Sequence, residues 1–223
     1  MDLFSVEYQE ELRKLHKDES AHFGNSARMP GGIFAPPLFK LILGVLDTHN
    51  LSSFLDFGCG KSGGVPLPRD QFPSLKDRQV HGFDPGVAEY ADSSKLGSKY
   101  SVVFSNDVLE HIEERYIDNN IEFIANRTED LFIAFIDTYP ALKKLSNGLN
   151  AHVIIAQPEW WITRMIRHFD CFLSHVVRYN ETPNPPGKLL FLGVKSRAGK
   201  NAASEIFARL PFHLRISASD MEK

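Results

Sequence analysis

The sequence contains little cysteine, no excess of positive charge and no long hydrophobic run, and each of these absences excludes a class of protein. Its 223 residues include two cysteines, Cys59 and Cys171, which cannot form a network of disulfides. Lysine and arginine number 25 against 28 aspartates and glutamates, so the strong positive field that anchors duplex nucleic acid is missing. We therefore expect a cytoplasmic protein with no nucleic-acid partner.

The apolar segments are too short to interact with a membrane as spanning helices. The longest apolar run, residues 38–46, is interrupted by Lys40 and Gly44 and has less than half of the ~20 residues that a span needs. The first residues, MDLFSVEYQEELRK, are acidic and amphipathic, unlike a secretion signal. We expect a soluble chain whose hydrophobic residues, 43% of the total, form an ordinary core.

Short apolar runs alternate with helical or loop patterns, which is typical of an α/β fold with a parallel sheet. We predict a Rossmann-like, mostly parallel sheet with helices on both faces. The predicted parallel strands are residues 52–58, 80–85, 100–107 and 130–139. The predicted helices are residues 3–16, 36 to 48–50, 110–126 and 160–169.

Two further apolar runs, residues 172–180 and 188–195, are separated by the turn sequence ETPNPPG. This spacing predicts an antiparallel hairpin at one edge of the sheet. We divide the chain into N-terminal helices with a lid loop (1–50), a central Rossmann-like domain (51–195) and a C-terminal surface helix with a tail (196–223).

A glycine-rich turn directly follows the first predicted strand, in the segment FLDFGCGKSGG at residues 54–64. Gly58 and Gly60 would let a ligand approach the backbone N–H groups without a Cβ in the way. The next strand ends at Asp84, where a carboxylate binds the ribose diol in nucleotide-binding α/β folds. The third strand ends in Asn106 and Asp107 at the same edge of the sheet. These strand ends predict a nucleotide-type cofactor site at the topological switch point.

At LDFGCGK and SNDVLEHI the chain resembles the class I S-adenosylmethionine-dependent methyltransferases, in particular the small single-domain type with LDxGCGxG and DVLEH motifs. The resemblance spans roughly residues 50–170 and implies S-adenosylmethionine as the cofactor of the 51–195 domain. The implied cofactor-binding residues lie at the three strand ends: Asp56, Gly58, Cys59, Gly60, Asp84, Pro85, Asn106 and Asp107. The resemblance implies that Asp56, Gly58 and Gly60 hold the methionine and ribose side of the cofactor. It implies that Asp84 holds the ribose hydroxyls and that Asn106 and Asp107 lie along the flank of the cofactor.

Two departures from the family pattern predict a changed cofactor pocket. Ser62 replaces the third glycine, and Pro66, Pro68 and Pro73 follow, so the helix after the glycine turn is expected to be short or missing. Fifteen residues separate Asp84 from Tyr100. This is too few for the helix, strand and adenine-binding acidic residue that the family usually has there.

The residues expected on the acceptor side lie after strand ends or in the lid loop: Phe23, Tyr139, His152 and Trp161. His152 follows a Gly/Asn loop at the carboxyl edge of the sheet, where a general base for a hydroxyl nucleophile would lie. His16 and His22 have no histidine at helical i, i+4 spacing with an acidic residue nearby, so we predict no metal site. The expected function is methyl transfer to oxygen or nitrogen of a small-molecule or sugar-type acceptor, with the oligomeric state left open.

Other functions could use the same residues. One is a protein that binds S-adenosylmethionine without transferring its methyl group, and another is an enzyme that uses the pocket for different chemistry, such as a lyase reaction. Gly60, Lys61 and Ser62 match the end of a P-loop. A P-loop requires a glycine five positions before Gly60, but Leu55 occupies that position. This argues against a nucleoside triphosphatase.

Overall fold

The computed structural model, which describes residues 2–17, 35–60, 79–178 and 187–209, contains one six-stranded sheet. Its strands are β1 (Ser53–Phe57), β2 (Gln79–Phe83), β3 (Tyr100–Asn106), β4 (Thr128–Asp137), β5 (Cys171–Arg178) and β6 (Gly187–Val194). They lie in the order β2-β1-β3-β4-β6-β5. The first four strands are parallel, and β6 pairs antiparallel with both β4 and β5. The predicted mostly parallel sheet with a C-terminal antiparallel hairpin is confirmed.

Helices cover both faces of the sheet. The α-helices of the described residues are α1 (Val6–Lys17), α2 (Ala35–Thr48), α3 (Glu114–Arg127), α4 (Pro158–Met165) and α5 (Arg197–Arg209). One hydrophobic core contains residues of α1, α3 and α4, and the other contains residues of α2 and α5. Neighbouring residues of a strand point to opposite faces, so Leu55 packs into the first core and Phe54 into the second. Within the described residues, no helix has both the length and the apolar character needed to cross a membrane.

The crossover helix predicted over residues 110–126 begins later than expected. The structure has a 3-10 turn at Leu109–His111 and starts α3 at Glu114. The reason is the completely buried Glu110, whose carboxylate accepts a hydrogen bond from the backbone N–H of Asp137 at 2.9 Å. A side chain turned toward the end of β4 in this way cannot also lie on the outer face of a regular helix.

The segment between β2 and β3 confirms one predicted departure from the family pattern. Residues 84–99 form turns and a 3-10 helix at Ser93–Lys95, with no strand and no α-helix among them. Asp92 caps that short helix by accepting the N–H of Ser94 at 3.0 Å. The segment expected to hold a short helix after the glycine turn lies at residues 61–78, outside the described part of the chain.

Helices α2 and α5 pack on the same face of the sheet. Val45 of α2 and Ile206 of α5 have no exposed surface. Ala202 and Ala203 of α5 are equally buried. One side of α5 therefore belongs to the core, as in other amphipathic helices at the surface of a domain.

Gly199 gives a test of how closely α5 approaches the sheet. A Cβ at this position would lie 2.1 Å from the backbone oxygen of Asp130. Because a backbone atom cannot move aside as a side chain can, we expect Gly199→Ala to lower the free energy of unfolding by about 2 kcal/mol. Chemical denaturation would measure the loss, with Lys200→Ala on the exposed side of α5 as the control. A stable Gly199→Ala variant would contradict the close approach.

Candidate functional site

The glycine turn after β1 is hydrogen-bonded to the end of the neighbouring strand β2. The backbone N–H groups of Gly58 and Cys59 both donate to the carbonyl oxygen of Phe83, at 2.8 and 3.2 Å. Gly58 has a φ of +86°, which favours glycine, and a Cβ there would lie 2.1 Å from a methyl group of Val108. The glycine at position 58 therefore lets the loops after β1 and β3 meet.

Asp84 ties the same turn to the loop after β2. One carboxylate oxygen accepts the N–H of Gly60 and the other accepts the N–H of Gly86, each at 2.8 Å. The side chain is buried, and in this arrangement the first N–H groups of the turn bind β2 and its loop. The predicted contact between Asp84 and a ribose would have to use the remaining lone pairs of these oxygens.

Asp56, the one carboxylate of β1, is buried. Burial, and then the nearby negative charge of Asp84, raise the pKa of Asp56 to about 7. This carboxyl group is therefore protonated over much of the range in which a surface aspartate is charged.

The raised pKa predicts how Asp56 affects stability as the pH changes. A carboxyl whose folded pKa exceeds its unfolded value stabilises the fold below pH ~4, and this contribution is lost as the pH rises through about 7. We expect the free energy of unfolding to fall by up to about 1.4 kcal/mol per pH unit from this group, and Asp56→Asn to remove that slope. Urea titrations of both proteins between pH 4 and 8 would measure it. Parallel curves for the two proteins would contradict the assignment.

A cluster of charged side chains lies at the ends of β3, β4 and β6. The Lys188 ammonium contacts a carboxylate oxygen of Asp107 and lies 3.1 Å from a carboxylate oxygen of Asp137. Asn106 donates from its side-chain amide to the other carboxylate oxygen of Asp107 at 3.1 Å. Asp107 itself has a φ of +55°, a conformation that aspartate tolerates better than most residues.

Burial and mutual repulsion change the proton affinities in this cluster. Burial raises the pKa of Glu110 well above its usual value, and the charges of Asp107 and Asp137 raise it further. Burial also raises the pKa of Asp137, against the lowering effect of Lys188. Burial alone would lower the pKa of Lys188, but the carboxylates of Asp107 and Asp137 outweigh it and raise that pKa.

His152 lies beside this cluster in the segment between β4 and α4. Its Nδ1 is 2.6 Å from the backbone oxygen of Tyr139, and its Nε2 is 4.0 Å from a carboxylate oxygen of Asp137. The ring of His111 packs edge-on against it with 4.8 Å between centroids, and the ring of Tyr139 lies at 6.0 Å. Burial and the charge of Asp137 raise the pKa of Tyr139 to about 12, so its hydroxyl stays protonated. Two of the predicted acceptor-side residues, Tyr139 and His152, are thus neighbours.

Of the remaining predicted site residues, Cys59 and Trp161 are buried, Pro85 borders a hollow, and Phe23 is not described. Cys59 is buried within the glycine turn, and Pro85 borders a hollow of about 210 Å³ that Phe83 also lines. Trp161 corrects a prediction, because it is completely buried in the core and has no exposed surface with which to contact an acceptor. Its neighbour Trp160 is the half-buried member of the pair. Phe23 lies outside the described residues.

Sequence reasoning missed three residues of the site, Glu110, His111 and Lys188. Lys188 had a detectable signal, because an antiparallel strand beside β4 could set it opposite Asp137, and the two are paired in the register. Glu110 and His111 had been interpreted as helical residues. Their inward position depends on the 3-10 turn, which the helical spacing of the apolar residues conceals.

The six-stranded sheet, with an antiparallel strand beside its parallel part, is shared with solved methyltransferase structures. It matches magnesium protoporphyrin IX methyltransferase from Synechocystis PCC 6803 with bound S-adenosylmethionine, at 14% identity and a TM-score of 0.55 over 86% of this chain and 99% of that one. It also matches Burkholderia thailandensis 1,6-didemethyltoxoflavin-N1-methyltransferase with bound substrate and S-adenosylhomocysteine, at 13% identity and a TM-score of 0.50 over 85% of this chain and 89% of that one.

A third similar structure is larger than this chain. Phosphoethanolamine N-methyltransferase 2 from Haemonchus contortus, in complex with phosphomonomethylethanolamine and S-adenosylhomocysteine, matches at 12% identity and a TM-score of 0.57. The match covers 87% of this chain and 61% of that one. No family model matches the sequence, and no curated protein matches it either. The similarity to these structures therefore establishes the fold.

Proposed function

We propose that this chain is an S-adenosylmethionine-dependent methyltransferase that acts on oxygen or nitrogen of a small-molecule acceptor. The proposal rests on one observation. The loops after β1, β2 and β3 contact one another at the switch point between β1 and β3. Gly60 is bound to Asp84 there, and Gly58 allows Val108 to approach. In open α/β sheets this crevice is where nucleotide-type ligands bind. The structures with the same fold include complexes with S-adenosylmethionine and S-adenosylhomocysteine.

The cofactor would lie across the ends of β1, β2 and β3. Its ribose would face Asp84, its methionine side would face Asp56 and the glycine turn, and its flank would lie against Asn106 and Asp107. Methyl transfer from a sulfonium is an in-line displacement with little need for side-chain chemistry. The main tasks of the protein are to align the acceptor with the methyl group and to exclude water.

An acceptor hydroxyl would have to lose its proton during methyl transfer. We assign His152 to assist this proton loss. Its Nδ1 is bound to the backbone of Tyr139, so Nε2 is the nitrogen that can accept a proton or bind an ion. Nε2 could act by direct proton removal, as the sequence predicts, or by holding a metal ion that binds the acceptor oxygen. The neighbouring Tyr139 would contact the acceptor.

Ligand binding tests the proposal first. Thermal unfolding would be recorded with S-adenosylmethionine, S-adenosylhomocysteine, ATP and NAD, since a ligand at 100 times its Kd stabilises by about 2.7 kcal/mol. We expect stabilisation by the first two ligands alone, and a smaller effect in Asp84→Asn. Lys144→Ala, an exposed substitution outside the loops after β1, β2 and β3, is the control. Stabilisation by ATP alone would contradict the proposal and favour a nucleoside triphosphatase.

Turnover separates an enzyme from a binding protein. A panel of small hydroxyl and amine compounds would be incubated with S-adenosylmethionine, and formation of S-adenosylhomocysteine would be measured. We expect product that depends on one class of acceptor. Cofactor consumption without an acceptor would instead indicate lyase-type chemistry, and bound cofactor with no turnover would indicate a binding protein.

A further inference from the structure

Two histidines and a glutamate converge beside the proposed acceptor site. One ligand-type atom from each of Glu110, His111 and His152 lies within 4.8 Å of the other two. We propose that these three side chains bind a divalent first-row transition-metal ion. This site has no signature in the sequence, because His152 is 41 positions from His111 and reaches it through the folding of the segment after β4.

The hydrogen bonds of the two imidazoles orient them for metal binding. The Nδ1 of His111 is 2.7 Å from the backbone oxygen of Ala151, and the Nδ1 of His152 is 2.6 Å from that of Tyr139. A carbonyl oxygen can only accept, so each Nδ1 carries the proton and each Nε2 presents a lone pair. Metal-binding histidines are commonly fixed in this way, by a hydrogen bond from the second ring nitrogen.

Glu110 supplies an independent indication of a missing partner. Its side chain has no exposed surface, and one carboxylate oxygen, Oε1, accepts the N–H of Asp137. The other oxygen, Oε2, is buried and has no hydrogen-bond partner among the described residues. A buried carboxylate oxygen without a partner is costly, and coordination of a cation would satisfy it.

The spacing and the ligand types agree with a first-row transition ion. Metal bonds to imidazole nitrogen and carboxylate oxygen are about 2.1 Å long, so neighbouring ligands of one tetrahedral ion are roughly 3.4 Å apart. The three ligand atoms lie within 4.8 Å of one another, so side-chain movements of about 1 Å would bring them to one ion. Two imidazoles favour ions such as Mn²⁺, Fe²⁺, Co²⁺ or Zn²⁺ over Mg²⁺ and Ca²⁺, which prefer oxygen ligands alone.

A second group of carboxylates, Asp107, Glu110 and Asp137, also lies within this spacing. Lys188 contacts both Asp107 and Asp137, so its ammonium already supplies positive charge to that side. We therefore assign the ion to the histidine side of Glu110. Asp137, with an oxygen 4.0 Å from Nε2 of His152, lies close enough to orient that ring or to complete the coordination.

Three protein ligands would leave positions open for the acceptor, which is a feature of catalytic metal sites. This part of the inference rests on the proposed function. An acceptor hydroxyl bound to the ion would lose its proton to solvent more easily. The acceptor oxygen would then form a bond to the methyl carbon while the carbon–sulfur bond breaks. The electron pair of the carbon–sulfur bond would stay on the sulfur of S-adenosylhomocysteine. The ion would keep its oxidation state, and His152 would act as a ligand, not as the base.

The experiment measures metal binding without any acceptor. The full chain, stripped with EDTA and dialysed, would be titrated with MnCl₂ and with CoCl₂ by calorimetry. We expect one ion per chain, with affinity lowered at least about 10-fold in Glu110→Gln, His111→Gln and His152→Gln. His168→Gln, which removes a histidine outside the cluster, should bind like the wild type. Equal affinity in all four variants would overturn the site.

Two further measurements keep the test independent of folding and of the proposed function. Pulsed electron paramagnetic resonance of Mn²⁺ bound to the wild type should detect two imidazole nitrogens, and their absence would overturn the site without any variant. Thermal stabilisation by S-adenosylhomocysteine would be measured in the same samples. Metal binding without such stabilisation would contradict the proposed cofactor alone, and stabilisation without metal binding would contradict the metal site alone.

Discussion

Lys188→Met is expected to lower the free energy of unfolding by about 3 to 5 kcal/mol, because it leaves the buried carboxylate of Asp137 and the partly exposed carboxylate of Asp107 without their counter-charge. The Lys188 side chain is 9% exposed and lies between Asp107 and Asp137. Methionine keeps most of the apolar stem, so the change chiefly removes the ammonium. Chemical denaturation in the presence of EDTA would measure the effect without any contribution from a bound ion.

Two comparisons identify the cause of that loss. Lys144→Met removes an exposed lysine and should change stability little. Adding Asp137→Asn to Lys188→Met removes one of the two carboxylates that have lost their ammonium partner. The double variant should therefore be more stable than the sum of the single effects predicts. A loss below 1 kcal/mol in Lys188→Met, or strict additivity, would show that the cluster does not depend on this ion pair.

Gly58→Ala is expected to destabilise the protein by about 2 to 4 kcal/mol and to weaken binding of S-adenosylhomocysteine. The new Cβ would need the φ of +86° and would lie 2.1 Å from a methyl group of Val108. Backbone strain and overlap each cost roughly 1 to 3 kcal/mol. Because Val108 follows Asp107 directly, relief of the overlap would also move the end of β3.

A second substitution separates the two costs of Gly58→Ala. Val108→Ala removes the two methyl groups that would lie 2.1 and 2.6 Å from the new Cβ. We expect the Gly58→Ala/Val108→Ala variant to recover about 1 to 2 kcal/mol relative to additivity, with the backbone cost unchanged. Denaturation of the four proteins gives this coupling. A coupling near zero would mean that the loops after β1 and β3 do not meet at this point.

The sequence predicted the features that depend on local pattern. Buried parallel strands appear as continuous apolar runs, and the end of each run located Asp56, Asp84 and Asn106 at one edge of the sheet. The count of residues between Asp84 and Tyr100 was enough to predict the missing strand. These inferences need chain length and side-chain type alone, which is why they agree with the structure.

Features that depend on how distant segments meet were not predicted. The pairing of His111 with His152 requires the course of the loop after β4, and the inward turn of Glu110 requires a break in a helical pattern. The structure also buries Trp161, which is expected on the acceptor side, and leaves its neighbour Trp160 half-buried. Adjacent helical residues point in different directions, and their spacing does not say which of the two faces the sheet.

The position of β6 has a consequence for the order in which the sheet can be completed. β6 is the last strand among the described residues, yet it lies between β4 and β5 and pairs with β4 over Leu131–Asp137. Until residues 187–194 leave the ribosome, the side of β4 away from β3 has no partner in this sheet, and that stretch is almost entirely apolar. An unpaired apolar strand is prone to associate with other chains. This order of synthesis therefore exposes one edge of β4 before its partner strand in the sheet exists, which favours association with other chains during that interval.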